Sequence, residues 1–143
     1  MDSVADLHLP LAGQAEAGAE IADAKATGDP GGVAGPLEKA LGELQRATMW
    51  LAQNGMADPD NAGAGAYAYM QLMGLVALGW MWLKMASASA KLADEPGEDR
   101  AFHEAKLITA RFFADRELVV AGALRRKVEA GAASVMALAV EAF

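Results

Sequence analysis

Apolar positions recur with helical spacing along most of the chain, and Pro- and Gly-rich punctuation separates them into four stretches. The first, Leu11 to about Ala26, is weak: small residues Ala15, Ala19, Ala22 and Ala26 form a face with only Leu11 and Ile21 as anchors. The turn-forming run "TGDPGGVAG" closes it. A second helix is predicted from Pro36, whose missing N–H costs nothing in a first turn. There Leu37, Leu41, Leu44, Thr48 and Leu51 make one stripe, with Asn54-Gly55 as the expected stop. The third starts after "DPDNAG", with Asp58 or Asp60 as N-cap, and runs to about Leu92 before "DEPGED". The fourth is predicted unbroken from about Asp99 to Ala130. Gly131 then interrupts it, and "ASVMALAVEAF" is expected to fold back as a short terminal helix. The fold class predicted is therefore all-α, an up-and-down antiparallel bundle of four helices plus a short C-terminal helix. By domain, residues 1–36 read as a lead-in segment with a weak helix and Gly/Pro loop, and 37–143 as the bundle core.

The third stretch contains 22 uncharged residues, Ala62 to Leu83, long enough on length alone to cross a bilayer. Its composition argues otherwise, because four of the residues are Gly, five are Ala, and Gln71 sits in the middle. The strongly apolar part, Leu72 to Leu83, gives about 18 Å of helix against a hydrocarbon core of roughly 30 Å. No basic cluster flanks it to orient a span. The expectation is a central bundle helix covered on every side, with Gly63, Gly74 and Gly79 admitting close neighbours. Trp80 and Trp82 point about 200° apart on such a helix, so they cannot both face one partner. Met70, Met73, Met81 and Met85 suit plain core better than an adaptable acyl-chain pocket.

Composition narrows the partners. A formal charge of −7 and a pI near 4.7 oppose phosphate backbones, and the basic residues form no stripe, so no nucleic-acid partner is expected. The absence of cysteine removes disulfides and thiolate metal sites. The opening "MDSVADLHLP" has no basic segment of a secretory signal, which makes a cytoplasmic location the expectation.

Catalytic chemistry is hard to find. His8 and His103 are the only histidines and neither has a Glu three residues before it, so a bundle metal site lacks ligands. His103 is expected at the surface or in a capping position. The run "GAGAYA" at 63–68 is similar to part of a dinucleotide loop, but it lacks the third glycine and a preceding strand. Lys39/Glu43, Arg111/Asp115 and Arg125/Glu129 lie at i, i+4 and fit solvated helix faces. Arg111, Asp115 and Arg116 around Phe112-Phe113 are expected to tie helices together rather than to hold an anion.

Three runs carry a resemblance: "GAYAYMQLMGLVALGWMWLK" at 65–84, "AKLITARFFAD" at 105–115 and "GAASVMAL" at 131–138. With "LEKALGELQRATMWLAQNGMADPDNAGA" before them, the pattern from Leu37 to Leu138 resembles the extra C-terminal helical domain of a branch of FAD-dependent acyl-CoA dehydrogenases. The segment "ADLHLPLAGQ" at 5–14 is similar to the stretch leading from the catalytic body into that domain. In that family FAD, the acyl-CoA site and the catalytic glutamate belong to upstream domains, so the resemblance places no catalytic, cofactor or metal-binding residue in this sequence. It implies an accessory bundle, inactive by itself, packed on the catalytic body of a flavoprotein oxidoreductase of fatty acid metabolism. Such a domain would support assembly or shape the substrate entrance, within a homo-oligomer.

Tyr67, Tyr69, Trp80 and Trp82 are the expected contact residues, being the large aromatics of the central helix. The rival readings are a stand-alone helical interaction module and, against the charge of −7, a peripheral membrane-associating domain.

Overall fold

A computed structural model describes residues 5–142, with side-chain surroundings for 13–142; His8 and Leu11 fall outside the described side chains, and Phe143 outside the described residues. Five helices succeed one another: α1 (Ala5–Ala26), α2 (Ala34–Ala57), α3 (Pro59–Leu92), α4 (Arg100–Arg116) and α5 (Ala121–Glu129). No strand occurs among the described residues. A single 3-10 turn, Leu118–Val120, joins α4 to α5, so the two form one broken rod and the bundle has four rods.

Cross-contacts fix the directions. Gln14 of α1 reaches Thr48 and Lys25 reaches Glu38, so α1 and α2 run antiparallel. Thr48 meets Tyr69, and a Cβ on Gly55 would lie 3.1 Å from Ala62, so α2 and α3 run antiparallel too. Trp82 packs on Phe113 at the α4 end while Gly65 approaches Val128 at the α5 end, which turns the broken rod against α3. The all-α, up-and-down antiparallel architecture is the one the periodicity predicts.

One core runs through all four rods. Leu37, Leu72, Leu83, Val33 and Val128 are fully buried, and α1 contributes Ala17, Ile21 and Ala24 to the same cluster. Each large side chain so enclosed stabilises the fold by about 1.5–3 kcal/mol before conformational entropy is set against it. In α2 the predicted stripe is the buried one: Leu37, Leu41, Leu44 and Thr48 are inside and Leu51 is half-buried. In α1 the inward face differs from the expected one. Ile21 sets it, with Ala17 and Ala24 one turn either side, and this leaves Ala15, Ala19, Ala22 and Ala26 outward.

Helix ends show why local signals shifted. Asp29, at φ 50°, accepts from the Ala34 N–H at 2.8 Å, so α2 begins two residues before Pro36. Asn54-Gly55 does not stop α2. The Asn54 side chain donates to the Trp50 carbonyl, its own carbonyl takes the Asp58 N–H, and Gly55 lets α3 pass close by. Asp58 then caps α3, accepting from the Asp60 N–H at 3.0 Å, as one of the two expected caps.

The rod predicted unbroken from Asp99 to Ala130 is interrupted at Glu117–Val120 because Leu118 turns in against Gly79. β-Branched Val119 and Val120 slightly disfavour a continued α-helix, and the chain takes a tighter 3-10 turn there with Leu118 buried. Beyond Gly131 the expected terminal helix is reduced to turns and a 3-10 turn at Val140–Ala142, with Val135, Met136, Leu138 and Val140 exposed.

Candidate association surface

The buried stripe of α3 is Gly65, Ala68, Leu72, Val76, Gly79, Leu83 and Ala86, one side of the helix only. The opposite side is uncovered. Tyr67 is 63 % exposed, Met70 61 %, Leu78 56 %, Met81 42 % and Met85 38 %. At spacings of three and four these residues follow one line along the helix, with Gly74 in the middle and nothing within 4 Å of where its Cβ would be. The expectation that neighbours cover α3 on every side is thus corrected: three rods cannot enclose a fourth, and one face is left to solvent. Gly79 and Gly65 are the close-approach glycines, while Gly63 and Gly74 face open space. The four methionines accordingly line neither the core nor an enclosed pocket. Length and hydropathy would let α3 cross a membrane, yet a third of its most apolar window is buried against the other helices.

The four aromatic residues take three different places. Tyr67 lies on the open face. Tyr69 turns to the core, where its hydroxyl and Thr48 Oγ1 are 2.8 Å apart and Thr48 also donates to the Leu44 carbonyl. Gln14 Nε2 adds a longer contact of 3.5 Å to Thr48, and Gln14 Oε1 is buried without a hydrogen-bond partner among the described residues. Trp80 and Trp82 stand on opposite flanks, as their spacing requires. Trp80 donates to Glu20 of α1 at 2.8 Å with Lys84 4.5 Å over its ring. Trp82 meets Phe113 of α4 with ring centroids 6.2 Å apart, and Lys106 bridges it to the half-exposed Phe102. The open face therefore has an uncharged centre bordered by two lysine–tryptophan contacts, the apolar-core and polar-rim layout of association surfaces.

The ionic groups are structural. Arg125 of α5 joins Glu43 of α2 and Glu129, and the hydrogen bond to Glu43 raises its guanidinium above the ordinary arginine value. Glu43 also takes Arg46 at 2.6 Å, so the expected Lys39/Glu43 pair gives way to these two arginines. Arg111 bonds Asp115 at 3.0 Å and reaches the Gly32 carbonyl at 3.4 Å, tying α4 to the α1–α2 connection. His103 is buried rather than at the surface, 5 % exposed, with Nε2 3.1 Å from Glu98 at the start of α4. A shallow cleft of ≈ 630 Å³ between α1 and α3 is lined by Glu20, Asp23, Thr27, Lys84, Ser87 and Lys91. No group of three potential metal ligands occurs among the described residues. Gly63 and Gly65 lie inside α3, so the "GAGAYA" run is helix and not a loop.

The family model described as acetyl-CoA dehydrogenase C-terminal like matches residues 13–139. No curated protein matches the chain.

Proposed function

The chain belongs to the acetyl-CoA dehydrogenase C-terminal like family, and from that premise we propose that it is an accessory helical domain of an FAD-dependent acyl-CoA dehydrogenase. Its role is assembly of that enzyme. The parent activity, α,β-dehydrogenation of an acyl-CoA thioester with FAD as acceptor, belongs to a catalytic body against which this bundle packs, in the cytoplasm.

One observation carries the assembly role: an uncharged, uncovered face along most of α3. Exposing that much contiguous apolar surface costs solubility, and chains retain it where another surface covers it. A structural part is also in keeping with the polar side chains that tie elements together, Thr48 with Tyr69, Arg125 with Glu43 and Arg111 with the Gly32 carbonyl.

The test is the native form of the polypeptide. An antibody to the bundle recovers it from source cells, and the product is sized and scanned for flavin absorbance. A yellow polypeptide several times heavier than 14.8 kDa is the expected result. A colourless product of 14.8 kDa overturns the reading and leaves a stand-alone interaction module. That second reading has one observation in its favour, a core closed by the chain's own helices.

A further inference from the structure

We infer that two copies of this chain pair through the open face of α3, antiparallel, about a two-fold axis passing at Gly74. The inference rests on α3 as an association surface, not on which enzyme the domain serves.

The first ground is self-complementarity. A two-fold interface presents one patch to its own copy, so the patch must fit itself when reversed. With Gly74 on the axis, a residue n positions after it stands level with the residue n positions before it on the other copy. Leu78 is then level with Met70, Met81 with Tyr67 and Met85 with Gly63. Helical geometry places Leu78, Met85 and Tyr67 on one side of the face, and Met70 and Met81 on the other. The axis keeps each side against its own kind. Leu78 of one copy therefore inserts between Tyr67 and Gln71 of the other, and Met81 falls between Met70 and Gly63. Large side chains meet gaps or small ones, and bare Gly74 removes the bulk where the two helices would be nearest.

The second ground is area. The exposed parts of Tyr67, Met70, Leu78, Met81 and Met85 come to roughly 500 Å² per copy, and the small residues between them bring the face toward the about 800 Å² per partner of a standard interface. Three of the five are methionines, which adapt to a facing surface.

The third ground is charge. The chain carries −7, which opposes self-association through a charged surface, but Ala62 to Leu83 has no charged residue and escapes this repulsion. At the ends, the acidic start of α3, Asp58 and Asp60, stands level with residues 88–90 of the other copy, beside Lys91 in its last turn. Antiparallel helix dipoles align favourably in the same arrangement.

Sedimentation of the 143-residue chain from 1 to 100 µM tests the pairing, with a species of twice 14.8 kDa expected. Gly74→Leu touches nothing within the single chain, so it keeps the helical circular dichroism and raises the dimer dissociation constant at least tenfold. Leu78→Glu does the same, while Met56→Glu, on exposed α2 surface, leaves the constant unchanged. The chain has no cysteine, so single substitutions report the register. Gly74→Cys forms an interchain disulfide on mild oxidation and Gly63→Cys, level with Met85, does not.

A 14.8 kDa species throughout the range overturns the inference. So does a dimer indifferent to Gly74→Leu and Leu78→Glu, or crosslinking at residue 63 but not 74. Retention of a monomer on phosphatidylcholine vesicles would likewise overturn it by giving the face to lipid. The outcomes separate from those for the proposed function: a monomer cut from a flavin-bearing enzyme refutes only the pairing, and a colourless native dimer refutes only the dehydrogenase assignment.

Discussion

Gly79→Ala probes a close approach between buried apolar side chains at the middle of α3. A Cβ built there would lie 2.9 Å from Leu37 Cδ1 and 3.0 Å from Leu118 Cδ2, nearer than carbon atoms rest. Both leucines are buried, 0 % and 3 % exposed, so neither has free space to swing into. Overpacking of this kind costs about 1–3 kcal/mol. Against it stands the gain from replacing a mid-helix glycine, about 0.5–1 kcal/mol. The balance is a loss of about 1 kcal/mol, worth about 3–4 °C in Tm for a chain of this size.

Gly42→Ala supplies the reference. It makes the same chemical change inside α2 with nothing within 4 Å of the new methyl, so the helix gain stands alone and Tm rises. Urea unfolding followed by circular dichroism should move the two midpoints in opposite directions. Adding Leu118→Ala to Gly79→Ala should recover part of the loss in a double-mutant cycle, with a coupling of about 1 kcal/mol, because the clash is with that side chain. Equal stabilisation by Gly79→Ala and Gly42→Ala, or zero coupling to Leu118, would refute the claim that α2 and the α4–α5 turn meet α3 at Gly79.

The polar contact inside the bundle gives a second prediction. Thr48→Val leaves Tyr69 Oη without its 2.8 Å partner and should cost about 1–3 kcal/mol in urea unfolding, with Tyr69→Phe recovering part of it in combination. Asp58→Ala removes the side-chain cap on α3 and should lower stability by about 0.5–2 kcal/mol, whereas Asp60→Ala, which caps nothing, should change it by less than about 0.5 kcal/mol. Asn61→Ala breaks the 2.9 Å bond from the Ala132 N–H to Asn61 Oδ1, the described hydrogen bond that ties the tail to α3. Amide exchange at residues 132–136 should then accelerate at least tenfold while α2 and α3 keep their protection; unchanged exchange would mean that the tail is held otherwise.

How much of this was legible depended on whether a signal was local. The α2 stripe was readable because three leucines and a threonine at helical spacing admit one inward face. The cap at Asp58 was readable as one of two neighbouring aspartates, since capping needs only nearby residues, whereas the Asn54-Gly55 stop was misread because both residues fit inside α2. Helix α1 misled for want of large side chains: among many alanines, one isoleucine decides the face, and Ala17 and Ala24 were inward because they stand a turn from Ile21. The aromatic residues of α3 could be separated by angle, which set Trp80 and Trp82 on opposite flanks. Their neighbours could not, because Glu20 and Phe113 come from distant parts of the chain.

The sequence by itself determined an all-helical chain and its four rods, because helix periodicity and caps act over a few residues. Only the tertiary structure decided which face of α3 stays open. Every side of that helix is apolar enough to be buried, so hydropathy ranks none above another. The choice falls to shape: Gly65, Ala68 and Gly79 admit α2 and the α4–α5 rod closely, and the bulky Tyr67, Met70, Leu78, Met81 and Met85 are left on the side where no rod remains to cover them.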